Sequence, residues 1–160
     1  DNRYMRILYS DLTERSLNGT TNGTGESLFN TAIALPLNIS SMYLRITIFF
    51  RCSTYSAGTP TFRLRVGTNT GTPSANTLIA QNAIGSASVA PIIRNMHLSV
   101  GLLETINTSS NLSSDESATN TYASVTPDFT QQNYLFITGV PSNAGNTIKC
   151  MHVLIEAYGS

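Results

Sequence analysis

Two histidines, His97 and His152, and a single lysine, Lys149, leave acid-base and phosphate chemistry few places to reside. Neither histidine lies in a GxSxG, HExxH or CxxC setting. His152 falls inside a strand-like stretch, where a half-buried imidazole donating one hydrogen bond is the ordinary reading. A phosphate-binding loop needs a glycine-rich turn leading into its lysine, and none precedes Lys149. Glycoside hydrolysis needs only two carboxyl groups in different protonation states, and nine Asp plus Glu permit that on paper. Yet Asp115 and Glu116 lie in a polar run where solvation keeps a carboxyl ordinary, and Glu104, Asp128 and Glu156 are scattered singly. No DxDxDG calcium loop occurs, and Cys52 and Cys150 lack zinc or redox spacing. The inventory predicts no enzyme: no catalytic residue, no metal ligand and no cofactor.

Arginine is the more informative side chain. Eight of the nine basic residues are Arg, and Arg45, Arg51, Arg63 and Arg65 fall at the outward positions of two successive strand patterns. Arginine is favoured where planar, bidentate pairs form at interfaces, so these four are the candidate subunit seam, the alternative being four solvated charges on a sheet.

The elements that would position such groups are strands. Met42 to Ser53 alternates for twelve residues, with Met42, Leu44, Ile46, Ile48, Phe50 and Cys52 on one side. After a turn at Tyr55–Pro60, Thr61 to Val66 alternates again, with Phe62, Leu64 and Val66 opposite Arg63 and Arg65, and the two segments read as adjacent strands. Leu28–Leu37, Thr77–Asn82, Pro91–Leu103, Tyr134–Val140 and Asn146–Tyr158 complete the set. The linker Pro141-Ser142-Asn143-Ala144-Gly145 is of hairpin length. Residues 1–25 read as a lead-in segment linking to an upstream region, with Arg3–Tyr9 a strand candidate and Asn18–Gly25 a flexible polar tract, and 26–160 as the domain. The start at Asp1-Asn2-Arg3, without Met or an apolar leader, suggests a processed or excised chain. With no sustained helical periodicity, the fold class is all-β, an antiparallel sandwich or barrel. The first long strand beside the last would set Cys52 opposite Cys150, with a bulge near Met151 to reconcile two apolar alternations.

Composition narrows the partners. The 160 residues carry zero net charge and 11% charged side chains, while Ser (19), Thr (21) and Asn (15) make the surface one of hydroxyls and amides. That excludes the basic footprint of a nucleic-acid binder, and no apolar run approaches the ~20 residues of a membrane helix. Five N-x-Ser/Thr sequons, at Asn18, Asn22, Asn38, Asn107 and Asn111, are about what 15 Asn among so many Ser and Thr produce by chance, so glycosylation is not inferred.

Glu26-Ser27-Leu28-Phe29, Tyr43-Leu44-Arg45-Ile46, the run Ala57-Gly58-Thr59-Pro60-Thr61-Phe62-Arg63-Leu64-Arg65-Val66-Gly67, and Asn146-Thr147-Ile148-Lys149-Cys150 leading into Val153-Leu154-Ile155-Glu156 together resemble the jelly-roll structural and tail-fibre proteins of tailed bacteriophages. The likeness spans residues 26–158, with Met151-His152 a departure from the small polar residues of similar proteins. It implies a jelly-roll sandwich, a homotrimer, and a virion component near a tail fibre, spike or capsid surface, alongside other virion proteins. The expected function is a receptor-binding head that attaches to a host surface through saccharide. A purely architectural virion part and the carbohydrate-binding module of an enzyme are the alternatives. Because the 104–120 run is too long for a plain connection, and so either mobile or functional, ligand contacts are expected there and on the Gly67–Asn76 loop. Asn69 and Asn111 supply amides, and Tyr55 and Tyr122 rings to stack on.

Overall fold

The computed structural model describes residues 4–37, 41–87, 89–99, 102–106 and 127–159. Asn111, Tyr122 and the polar run beyond Ile106 lie outside the described residues. Among the described residues the elements are β1 (Tyr4–Asp11), β2 (Arg15–Asn18), β3 (Ser27–Leu28), β4 (Ile33–Ala34), β5 (Ser41–Thr54), β6 (Thr61–Gly67), β7 (Thr77–Ala83), β8 (Val89–Ser99), β9 (Leu102–Ile106), β10 (Tyr134–Val140) and β11 (Thr147–Gly159), with a 3-10 turn at Pro73–Ala75.

The strands form two sheets in which every pairing is antiparallel. The front sheet runs β1-β11-β5-β8-β9, with β2 also on β11; the back sheet runs β3-β10-β6-β7, with β4 also on β10. Setting β2 and β9 aside, β1-β11-β5-β8 faces β3/β4-β10-β6-β7, and the chain crosses between layers in the order of an eight-stranded jelly roll. The all-β antiparallel architecture expected from the strand patterns is observed, with the jelly-roll topology that the resemblance implies.

Strand alternation generates the core. Leu44, Ile46, Ile48, Phe50 and Cys52 of β5 point inward against Phe62, Leu64 and Val66 of β6 and Leu135 and Ile137 of β10, all nearly inaccessible to solvent. Phe50 and Phe62 stack at 4.3 Å between ring centroids, and Phe29 closes on both at 5.9 and 6.2 Å. The backbone of β10 makes room for this: a Cβ at Gly139 would come within 2.6 Å of Phe29 and of Ile148.

Several local expectations are corrected. β5 and β6 are not neighbours in one sheet but face each other across the core, because alternation fixes which side of a strand is buried and not which partner it pairs with. Arg45 and Arg51 therefore lie on the front face and Arg63 and Arg65 on the back, so the four do not share one face of the chain. β10 and β11 likewise form no hairpin; residues 141–146 carry the chain between sheets. The Leu28–Leu37 strand is two short pairings, β3 and β4, both on β10. Residues 4–18 do not stand apart as a lead-in: β1 is the first strand of the roll, and Leu17 joins the core. The Asn18–Gly25 tract is tethered at its start, where the Gly19 N–H donates to the Asn146 carbonyl at 2.9 Å.

β11 does lie beside β5, but a register shift between Thr147 and Ile148 pairs Cys52 with Ile148 and Cys150 with Phe50, two places from the expected alignment. Both thiols are free and buried. Burial pushes both up, Cys150 to about 12, so neither is a reactive thiolate. The bulge expected near Met151 is present, between Cys150 and His152.

Two measurements check this core. Alkylation of the unfolded chain should label both cysteines without prior reduction, and a reductant should leave the melting temperature unchanged. Gly139→Val should destabilise by roughly 1–3 kcal/mol in urea titration, as overpacking of a filled core does.

Candidate functional site

The back face is closed by its own side chains. Glu26 has only 8% of its side chain exposed, yet it accepts four hydrogen bonds from three residues. Arg65 Nε reaches Oε1 at 2.6 Å and its Nη2 reaches Oε2 at 2.9 Å, Arg63 Nη1 donates to Oε2, and Thr138 Oγ1 donates to Oε1 at 2.6 Å. These groups meet because Arg63 and Arg65 are outward neighbours on β6, Thr138 pairs with Arg63 from β10, and Glu26 leads into β3 on the far side of β10. Burial alone would raise the Glu26 carboxyl. The bonds from Arg65, Thr138 and Arg63 outweigh it and pull the carboxyl from 4.5 to about 2. Arg65 Nη1 also donates to the Asn76 carbonyl at 2.7 Å. All three nitrogens of the Arg65 guanidinium, and Nε and Nη1 of Arg63, are thus engaged within the chain.

The 67–76 loop folds over the same face. The Asn76 side chain donates to the carbonyls of Asn69 (2.8 Å) and Pro73 (3.0 Å) and accepts from the Asn69 N–H (3.0 Å). Asn69 Oδ1 accepts from the Thr72 N–H at 2.9 Å. The 3-10 turn of this loop lies against β3 and β10, where Phe136, on the outer side of β10, is fully buried.

Tyr55 sits at the other end of the sandwich. Its hydroxyl donates to the Gly58 carbonyl at 3.0 Å, inside the connection from β5 to β6. That connection is fixed by Asn146, whose amide donates to the Ala57 and Pro141 carbonyls (2.7 and 2.8 Å) and accepts from the Ser56 N–H (2.7 Å). Tyr55 precedes β6 and Asn69 follows it, so the seven residues of that strand hold them about 20 Å apart. The two described ligand candidates therefore do not converge on one site.

The front face is different. In successive rows across β11 and β5, the register sets Tyr158 beside Tyr43, Glu156 beside Arg45, Leu154 beside Thr47 and His152 beside Phe49. Tyr43 and Tyr158 meet edge to face at 5.9 Å, and Phe49 and His152 stack at 6.0 Å with an 18° interplanar angle. Arg45 Nε lies 3.9 Å from Glu156 Oε2, with over half of the arginine side chain exposed. β1 adds Met5 opposite Tyr158 and Ile7 opposite Glu156, both more than half exposed. Arg51 is exposed further along β5.

Sequence reasoning missed this face for an identifiable reason. The outward positions of β5 read as a wet face because two of them are arginines, while Tyr43 and Phe49 stand among them. On β11 the bulge at Met151 inverts the alternation, and only with that inversion do His152, Leu154, Glu156 and Tyr158 become the outward set. The bulge was the available signal. Among the described residues no cluster of three or more His, Cys, Asp or Glu could hold a metal.

The Glu26 cluster gives an acid-stability prediction. A carboxyl held at about 2 when folded against an ordinary 4.5 contributes roughly 3 kcal/mol. That contribution is complete above about pH 4.5 and is lost as pH falls towards 2. Glu26→Gln should lower stability at neutral pH by about 3 kcal/mol, since it leaves two half-buried guanidinium groups without their counter-ion. The variant should also lack the wild-type loss between those pH values. Urea titrations across that range read both effects.

No family model matches this chain, and no curated protein matches it. Among solved structures it is similar to the CBM2 module of the evolved Dit of Lactobacillus casei BL23 phage J-1, at 10% identity over 96% of each chain and a TM-score of 0.44. It is also similar to part of an arabinose-bound α-L-arabinofuranosidase, at 15% identity and a TM-score of 0.38, covering 98% of this chain and 22% of that one.

Proposed function

We propose that this chain is a non-catalytic attachment module of a phage virion that binds saccharide on the outer face of its front sheet. The observation that carries the binding reading is the pair of aromatic contacts, Tyr43 with Tyr158 and Phe49 with His152, on one face that also exposes Arg45. Sugar rings have apolar C–H faces and a rim of hydroxyls. Aromatic faces take the first, and guanidinium, carboxylate and hydroxyl groups take the second. The virion setting rests on the resemblance of residues 26–158 to phage jelly-roll proteins. The proposed homotrimer rests on it too; the bonds that Arg63 and Arg65 already make to Glu26 favour an assembly surface elsewhere.

An architectural role is the second reading. The exposed Met5 and Ile7 on β1, an outermost strand of the front sheet, favour it, since apolar edge strands are usually covered by another chain.

Adsorption of the purified protein to host cells, or to host surface polysaccharide, separates the two. Phe49→Ala and Tyr158→Ala should each weaken adsorption about 10-fold, as loss of one stacked ring does, and leave the circular dichroism spectrum unchanged. Wild-type adsorption in both variants would reject the front face as the binding surface.

A further inference from the structure

We infer that the front-face site is a lane for an extended saccharide chain, laid parallel to β5 and β11 and touching both aromatic pairs at once. This deepens the proposed function and rests on it. Tyr43 and Phe49 are six positions apart on one strand, which places the two pairs about 20 Å from each other along the sheet. A mono- or disaccharide can reach one pair but not both.

The rows between the pairs differ from the rows at the ends. They hold the Arg45–Glu156 ion pair and then Thr47 beside Leu154. The guanidinium donates, the carboxylate accepts, and the threonine hydroxyl does either. A chain stacked at both ends would lay its ring hydroxyls over these groups. The half-exposed Arg45, 3.9 Å from a Glu156 side chain that is 15% exposed, leaves guanidinium donors free for a ligand.

The bulge at Met151 fixes the second end of the lane. Cys150 pairs with Phe50 on the core side and His152 with Phe49 on the outer side, so Met151 is the inserted residue that turns His152 outward. Without it the outward neighbour of Phe49 would be an aliphatic thioether instead of a flat ring. The lane is thus a property of register: Tyr158 and His152 share a face only because the strand changes phase between Cys150 and His152.

Calorimetric titration with linear gluco-, galacto- and N-acetylglucosamine oligosaccharides, each series extended from the disaccharide upward, tests the inference. In the series that binds, affinity should rise about 10-fold or more as the chain becomes long enough to span both pairs. Phe49→Ala and Tyr158→Ala should each return long chains to the affinity of short ones, whereas a short chain should lose binding in only one of the two variants. Affinity independent of length, or loss in one variant alone for long chains, overturns the lane and leaves saccharide binding standing. Binding of no series overturns both readings. In that case a fall in sedimenting mass on Phe49→Ala identifies the face as a contact between copies of the chain.

Discussion

Phe50 stacked on Phe62 is the contact from which the rest of the molecule follows. One ring comes from β5 and the other from β6, and their 4.3 Å separation bridges the two sheets at the centre of the sandwich. Phe29 can join them only because β10 presents Gly139 there. With these rings in register, β5 and β6 must lie in opposite layers, and the connection at residues 55–60 must cross the end of the sandwich instead of forming a hairpin. The fully buried Asn146 satisfies the backbone groups that this crossing would otherwise strand. Inter-sheet stacking thereby decides which face of each strand remains for solvent or ligand.

The two outer faces have been used in opposite ways. On the back, Glu26, Arg63, Arg65 and Thr138 form a charge-assisted cluster, and the 67–76 loop lies over Phe136 with its own amides closing it. Polar side chains there serve the fold, and a ligand would have to displace bonds already made. On the front, aromatic rings stand partly exposed with one loose ion pair between them. In a chain so poor in charge, the contrast between engaged and available polar groups separates scaffold from surface better than the identity of the residues does.

Much of the fold was legible because a strand of period two reports its buried side directly. Met42 to Cys52 and Phe62 to Val66 are core on the sides the alternation indicates, and the ambiguous alternation of the last strand pointed to the bulge that is present. Pairing partners were not legible, since facing across a core and neighbouring within a sheet give one strand the same pattern. β1 was legible as a strand candidate at Arg3–Tyr9, but its place in the sandwich was not, because its outward residues, Met5 and Ile7, are apolar and it carries a register shift after Ile7. The candidate site was hidden by the same logic: Tyr43 and Phe49 are visible in the sequence, but their partners Tyr158 and His152 are about a hundred positions away and become outward only through the phase change at Met151. Asn69, chosen as a ligand group for its amide, shows the converse, for loop amides are as often spent on closing the loop that carries them.

The pairing of β1 with β11 has a mechanical consequence. The register sets Tyr4 opposite Gly159, so the strands that begin and end the roll run antiparallel with their outer ends side by side. Tension applied between these two ends pulls across the strands, along the direction of the inter-strand hydrogen bonds, and loads those bonds one after another instead of together. Such a module yields by unzipping from one edge, while a load entering through the front face and leaving through the β11 end alone bypasses the β1 seam. The β1 edge is therefore a fuse under one geometry of pulling and an idle seam under the other.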